Sequence, residues 1–182
     1  VLYSSLSTAI QEVYLPSISR KVFSGSTNDE VTKSLIAPSR MQICILFLAL
    51  SGYFLFGEEF FRLWIGRSYA SNEITACYIT GLIVMTSATL QLFQNTTTCV
   101  LKAKNMMRGR VIITGISTLV NFIITISLVP VLGMYGAAIG TAISMIFGYG
   151  VAVNIYYKVK VGINTKLYFK ETLQGLCLAG VI

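Results

Sequence analysis

Histidine is absent from this chain, and charge is scarce: 12% of its 182 residues are Asp, Glu, Lys or Arg, about half the share of an ordinary soluble domain. Without histidine there is no imidazole base and no Ser-His-Asp triad. The four cysteines, Cys44, Cys77, Cys99 and Cys177, stand far apart and form no CxxC or other metal-binding spacing. They read as buried or lipid-facing thiols. The long apolar runs also lack paired carboxylates and a glycine-rich phosphate loop. No catalytic site, metal or cofactor is therefore expected within these residues, and the chain does not read as an enzyme.

What is present is apolar. Hydrophobic residues make up 54% of the chain, and the mean hydropathy is +0.72. A net charge of +7 would suggest nucleic acid in a soluble protein. Here the cations cluster between long uncharged runs, so the expected partner is the lipid bilayer and not nucleic acid. Met41 to Gly57, Ile74 to Leu101 and Val111 to Tyr157 carry no charge. The last run would reach about 70 Å as one helix, more than two bilayer cores. It must fold back, and Val129-Pro130-Val131-Leu132-Gly133 is its Pro-plus-Gly punctuation. The expected fold class is all-α, a polytopic transmembrane bundle. Full crossings are expected at about 41–57, 74–96, 111–129 and 134–157, with partial crossings at about 1–15 and 173–182. The partial runs, and a first residue that is Val1, suggest a piece of a larger protein, with the remainder of the same chain as a partner.

Cations alternate across these crossings. Arg20, Lys21, Lys33 and Arg40 precede the first full one, and Arg62 and Arg67 follow it. Lys102, Lys104, Arg108 and Arg110 follow the second, none follows the third, and Lys158, Lys160, Lys166 and Lys170 follow the fourth. The rich gaps are expected on the cytoplasmic side. Within the first, Pro16 is expected to end a helix. Thr27 with Glu30 fits a capping box that opens a short surface helix over 28–36, separated by Pro38 from the crossing. On the outer side, Phe60, Phe61 and Trp64 at helical spacing read as an interfacial anchor, with Arg62 and Arg67 as candidates to meet an anionic ligand.

Amides recur at membrane depth: Gln91, Gln94, Asn95, Asn121 and Asn154. They need polar partners there, either across helices or in a wet cavity. Gln91, Asn95 and Asn121 are the candidate cavity residues. Glu12 reads as interfacial. Gly136, Gly140, Ser144 and Gly148 recur at four-residue intervals, a ridge of small residues that lets two helices approach closely.

The stretch Leu101-Lys102-Ala103-Lys104 before a crossing with Asn121, then Pro130-Val131-Leu132-Gly133-Met134-Tyr135-Gly136-Ala137-Ala138-Ile139-Gly140-Thr141-Ala142-Ile143-Ser144, resembles the C-terminal half of polysaccharide (O-antigen, Wzx-type) flippases. Those belong to the multidrug/oligosaccharidyl-lipid/polysaccharide exporter superfamily. Leu63-Trp64-Ile65-Gly66 with Tyr69 is similar to that family's segment after its eighth helix, and Leu15-Pro16-Ser17-Ile18-Ser19 to the end of its seventh. The resemblance implies part of the C-terminal lobe of a two-lobe transporter in the bacterial inner membrane. Its implied partner is an undecaprenyl-pyrophosphate-linked oligosaccharide, moved outward by alternating access. The expected cavity lacks a mid-membrane cation, so charge for the pyrophosphate would come from the other lobe or from Arg62 and Arg67. Three alternatives remain at this point, a non-catalytic scaffold subunit among them. A cation-coupled multidrug exporter of the same fold would need an intramembrane carboxylate. A membrane-embedded glycosyltransferase or acyltransferase would need a catalytic group elsewhere.

Overall fold

The computed structural model describes residues 2–65 and 70–179, and it is all-helical, with no strand among them. Helix α1 spans Leu2–Phe23, α2 Asn28–Ile65 and α3 Ser71–Leu92. A 3-10 turn, Phe93–Thr96, joins α3 to α4, Thr97–Ala103. Helix α5 covers Met107–Leu132 and α6 Met134–Met145. The latter continues through a π segment at Ile146–Ala152, the single turn α7 at Val153–Tyr156 and a second π segment at Tyr157–Val161. Helix α8 is Thr165–Ala179.

Four helical stretches are long and apolar enough to cross a membrane: Asn28–Ile65, Ser71–Ala103, Met107–Leu132 and Met134–Val161. They coincide with the four expected crossings and extend each of them. The reversal falls where the Pro-Gly punctuation placed it. Helix α5 ends at Leu132, and Gly133 turns the chain with φ +55°, a conformation open to glycine at little steric cost. Large apolar side chains such as Ile112, Leu119, Phe122 and Ile123 on α5 and Leu48, Phe54 and Leu63 on α2 face outward. A soluble protein would expose far smaller patches; here lipid is their natural solvent.

Two expectations about proline are corrected. Helix α1 runs through Pro16 to Phe23 and does not stop there. The missing N–H leaves the carbonyl of Glu12 without its intrahelical donor, at a point where Glu12 itself is exposed. Helix α2 likewise passes through Pro38, so the stretch 28–36 is its first part and not a separate surface helix. The reason lies in the burial pattern. Val31, Leu35, Pro38, Ser39, Gln42 and Leu46 are all buried, a stripe at three- and four-residue spacing that keeps its phase across the proline. Packing of that stripe outweighs one lost hydrogen bond. The capping box is present: Thr27 N–H donates to Glu30 Oε2 at 3.0 Å, and Glu30 N–H to Thr27 Oγ1 at 3.4 Å.

The connectors rich in Lys and Arg meet at one end of the bundle, called the basic end below. Lys104 Nζ donates to Asn28 Oδ1 at 3.1 Å and to the Val161 carbonyl at 2.9 Å. Asn164 N–H donates to Thr32 Oγ1 at 3.4 Å. Three connectors are thereby clasped together. Gly162 closes the clasp at φ +80°, and a Cβ there would lie 2.6 Å from Asn28 Nδ2. Gly162→Ala is expected to destabilise the protein by about 1–2 kcal/mol, through left-handed strain and the contact together. Thermal unfolding in detergent measures this, and an unchanged midpoint would mean the clasp is loose.

The core also sits in the basic half. Ile18, Val31, Leu35, Leu46, Leu101, Val153 and Tyr157 belong to one buried cluster. Helix α8 closes it, with Tyr168 stacked on Phe93 at 6.3 Å between ring centroids and Arg40 paired to Glu171 at 3.1 Å. Burial pushes the Tyr168 phenol up to about 12, so it stays a neutral hydrogen-bonding group, 2.8 Å from Ser39 Oγ. The opposite half is thinner. There α2 and α3 are held by Tyr53 stacked on Tyr78 at 5.7 Å, with Tyr78 OH donating to the Phe54 carbonyl at 2.9 Å.

Candidate functional site

Helices α5 and α6 form the tightest hairpin, and the small-residue ridge is its seam. A Cβ on Gly136 would lie 2.6 Å from the Leu128 carbonyl oxygen. One on Gly140 would lie 2.9 Å from Thr125 Oγ1, and one on Gly148 would land on Ser117 Oγ. Ser144, the fourth member of the ridge, is buried. The ridge therefore draws α6 against α5 along its length.

Where α3 leans on this hairpin, two of the three candidate amides come together. Gln91 on α3, Asn121, Thr114 and Thr118 on α5, and Tyr149 in the first π segment line a cavity of about 100 Å³, floored by Ser117, Ser144 and Met145. Tyr149 OH donates to Thr114 Oγ1 at 3.4 Å, and Thr125 Oγ1 donates to Asn121 Oδ1 at 3.2 Å. The recess is large enough for several water molecules. Its lining is neutral and rich in donors and acceptors, and no Asp or Glu occurs in the uncharged runs that build it. Chemically it can hydrogen-bond hydroxyls and amides.

Asn95 is placed elsewhere. Its Nδ2 donates to Ser7 Oγ at 3.0 Å, and its Oδ1 accepts from Arg110 Nη2 at 3.4 Å. It joins a buried polar layer that crosses the bundle. Ser7 Oγ also accepts from Gln42 Nε2 and donates to the Leu92 carbonyl at 2.9 Å. Gln42 Oε1 accepts from Thr96 Oγ1 at 2.8 Å. The 3-10 turn puts Asn95 and Thr96 toward two different partners, Arg110 and Gln42. Gln94, in the same turn, is buried and reaches the Tyr149 carbonyl at 3.5 Å. Asn154 serves its own helix: Nδ2 donates to the carbonyls of Tyr149 at 3.0 Å and Gly150 at 2.9 Å, both within the first π segment.

Arg110 is the residue that sequence reasoning missed. In the sequence it stands among the loop cations, yet it is only 9% exposed. Its Nη1 donates to Thr98 Oγ1 and, at 2.9 Å, to Tyr157 OH. No carboxylate is among these partners, whereas Arg40 and Arg62 each pair with a glutamate. A signal was available: Arg110, Thr114, Ser117, Thr118 and Asn121 repeat at three- and four-residue spacing, a polar stripe along an apolar helix. Arg110 thus sits on the cavity's side of α5, one turn below Thr114.

The aromatic group at the far end forms as expected, with Phe60 and Trp64 at 5.7 Å between ring centroids. Arg62 there is half-exposed and bound to Glu58 at 2.9 Å, a surface pair worth well under about 1 kcal/mol. Arg67 and Tyr69 lie outside the described residues. Of the cysteines, Cys44, Cys77 and Cys99 are free thiols. No group of His, Cys, Asp or Glu among the described residues could hold a metal ion. No protein-family model, curated protein or solved structure matches the chain.

Proposed function

We propose that this chain is part of a transporter that moves a lipid-linked oligosaccharide from the cytoplasmic to the outer leaflet of the bacterial inner membrane by alternating access, in cell-surface polysaccharide synthesis. The observation that carries the reading is the convergence of Gln91, Thr114, Thr118, Asn121 and Tyr149 on one cavity at membrane depth. A sugar head cannot cross hydrocarbon unaided, because its hydroxyls would lose their hydrogen bonds. Neutral amides and hydroxyls in a preformed recess replace them. The recess is too small for an oligosaccharide, and as one wall of a larger cavity it would face the remainder of the transporter. Arg110 gives the basic end of that wall a positive charge suited to the phosphate of the carrier lipid. The clasped basic connectors lie in the cytoplasm in this reading. The lack of Asp or Glu in the uncharged runs argues against cation coupling through these helices, and the site's chemistry is binding, not bond breaking.

The test is transport of a lipid-linked saccharide into everted vesicles by the intact protein. Asn121→Leu with Gln91→Leu is expected to lower the rate at least about tenfold, the loss of roughly one well-made hydrogen bond in the loaded state. Thermal stability should change little, because both side chains are only partly buried. Undiminished transport by the double variant would refute the assignment.

A further inference from the structure

At the basic end, the first turn of α5 meets the last turns of the Met134–Val161 helix in a close seam. Tyr156 OH donates to the Met106 carbonyl at 2.9 Å, and a Cβ on Gly109 would fall on the Tyr156 ring. The two helices run in opposite directions, so one step along each rotates to the same side of the seam. One residue on, Arg110 and Tyr157 meet in the buried polar layer at 2.9 Å. One residue back, Arg108 and Ile155 fall on the outer side, and both are exposed. Lys158 and Val159, one turn nearer the basic end, are exposed as well. So is Ile112, one turn along α5 from Arg108. At 1.5 Å per residue, Ile112 lies about 6 Å deeper than Arg108, and Ile155 about 4.5 Å deeper than Lys158. The outer edge thus sets two cations above two apolar side chains. The cations have no counter-charge close by in the chain. From Ile74 to Lys170 there is no Asp or Glu. The two ion pairs among the described residues, Arg40–Glu171 and Arg62–Glu58, leave Arg108 and Lys158 out.

We infer that this outer edge binds an anionic phospholipid of the leaflet at the basic end, its phosphate between Arg108 and Lys158 and its acyl chains along Ile112 and Ile155. Charge selects the occupant. A zwitterionic lipid brings a cation along with its phosphate, whereas a lipid of net negative charge neutralises the edge. The guanidinium fork of Arg108 suits a phosphate, which it can grip through two oxygens. Depth selects a lipid over a soluble anion, because the apolar side chains stand directly inward of the cations, in the order of a headgroup and its chains. The edge lies on the opposite side of the Gly109–Tyr156 seam from Arg110, so it is separate from the transport reading and does not depend on it.

The experiment is a lipid titration of the intact protein in detergent micelles, with the first bound lipid counted by native mass spectrometry. Phosphatidylglycerol is compared with phosphatidylcholine of the same acyl chains. The anionic lipid is expected to bind at least about tenfold more tightly, the gain that two cations supply against its headgroup. Arg108→Gln with Lys158→Gln should bring it to within about twofold of phosphatidylcholine. Arg20→Gln with Lys21→Gln removes the same charge from the end of α1 and should leave the preference intact. All four side chains are exposed, so both double variants should fold, and their unfolding midpoints without lipid check this. Glycerophosphoglycerol, the headgroup without its acyl chains, should fail to displace the lipid at equal concentration. Equal affinity for the two lipids, an equal loss in the two double variants, or displacement by the soluble headgroup overturns the inference. The first would remove charge selection, the second would leave only a diffuse positive field, and the third would make the edge a site for soluble anions.

Discussion

Gly136→Ala is expected to destabilise the protein by about 2–3 kcal/mol, although it adds one methyl group to a helix. The added carbon would lie 2.6 Å from the oxygen and 2.7 Å from the carbon of the Leu128 carbonyl. Both are backbone atoms of α5, so no rotamer change relieves the contact. The hairpin would have to open, and it would lose close packing along the ridge. Gly115 is the internal control. It lies in the middle of α5, and a Cβ there would meet nothing within 4 Å. Gly115→Ala should therefore stabilise by about 0.5–1 kcal/mol, the usual gain in helix propensity. The same substitution on the same hairpin then has opposite signs. Unfolding by denaturing detergent in mixed micelles measures both, and a shared sign would mean that the seam is not closely packed.

The second large effect is expected at Arg110. Two terms compete there. Burying a guanidinium without a counter-ion opposes folding, so an apolar replacement relieves that penalty. Against this, Arg110 donates to Thr98, Tyr157 and Asn95, and hydrogen bonds from a charged donor contribute about 1.5–3 kcal/mol each. With three acceptors in place, the second term wins. Arg110→Met should lose about 2 kcal/mol, and Arg110→Lys about as much, because one ammonium cannot reproduce the fork that spans three acceptors. A double-mutant cycle with Tyr157→Phe should return a coupling of about 1–2 kcal/mol. A methionine variant as stable as the parent would show that the polar layer adds nothing to stability.

Much of the architecture could be read from charge and hydropathy, because a bilayer imposes length and polarity on whatever crosses it. The four crossings, the turn at Gly133 and the gathering of the basic connectors follow from that constraint. The proline boundaries did not. Helix breaking at Pro16 and Pro38 is a local rule, and at Pro38 the buried stripe from Val31 to Leu46 is a tertiary fact that overrides it. The candidate site was half legible. Amides in lipid need partners, which singled out Gln91, Asn95 and Asn121, but composition cannot say whether a partner is a side chain or a cavity. The 3-10 turn after Leu92 answers that for Asn95 by turning it toward Arg110. Arg110 was hidden for a simpler reason. It is the last of four closely spaced cations, and only its phase with Thr114 and Asn121 distinguishes it from its neighbours.

The clasp formed by Lys104, Asn28, Val161, Thr32 and Asn164 has a mechanical consequence. With three connectors joined at one end, a pivot about that end would part the hairpins like the blades of a fan about its rivet. A rotation of about 5° would move the far tips of a roughly 30 Å span by about 2.6 Å while hardly disturbing the rivet. Separation would thus be greatest at the thin half, where aromatic contacts between α2 and α3 replace a packed core.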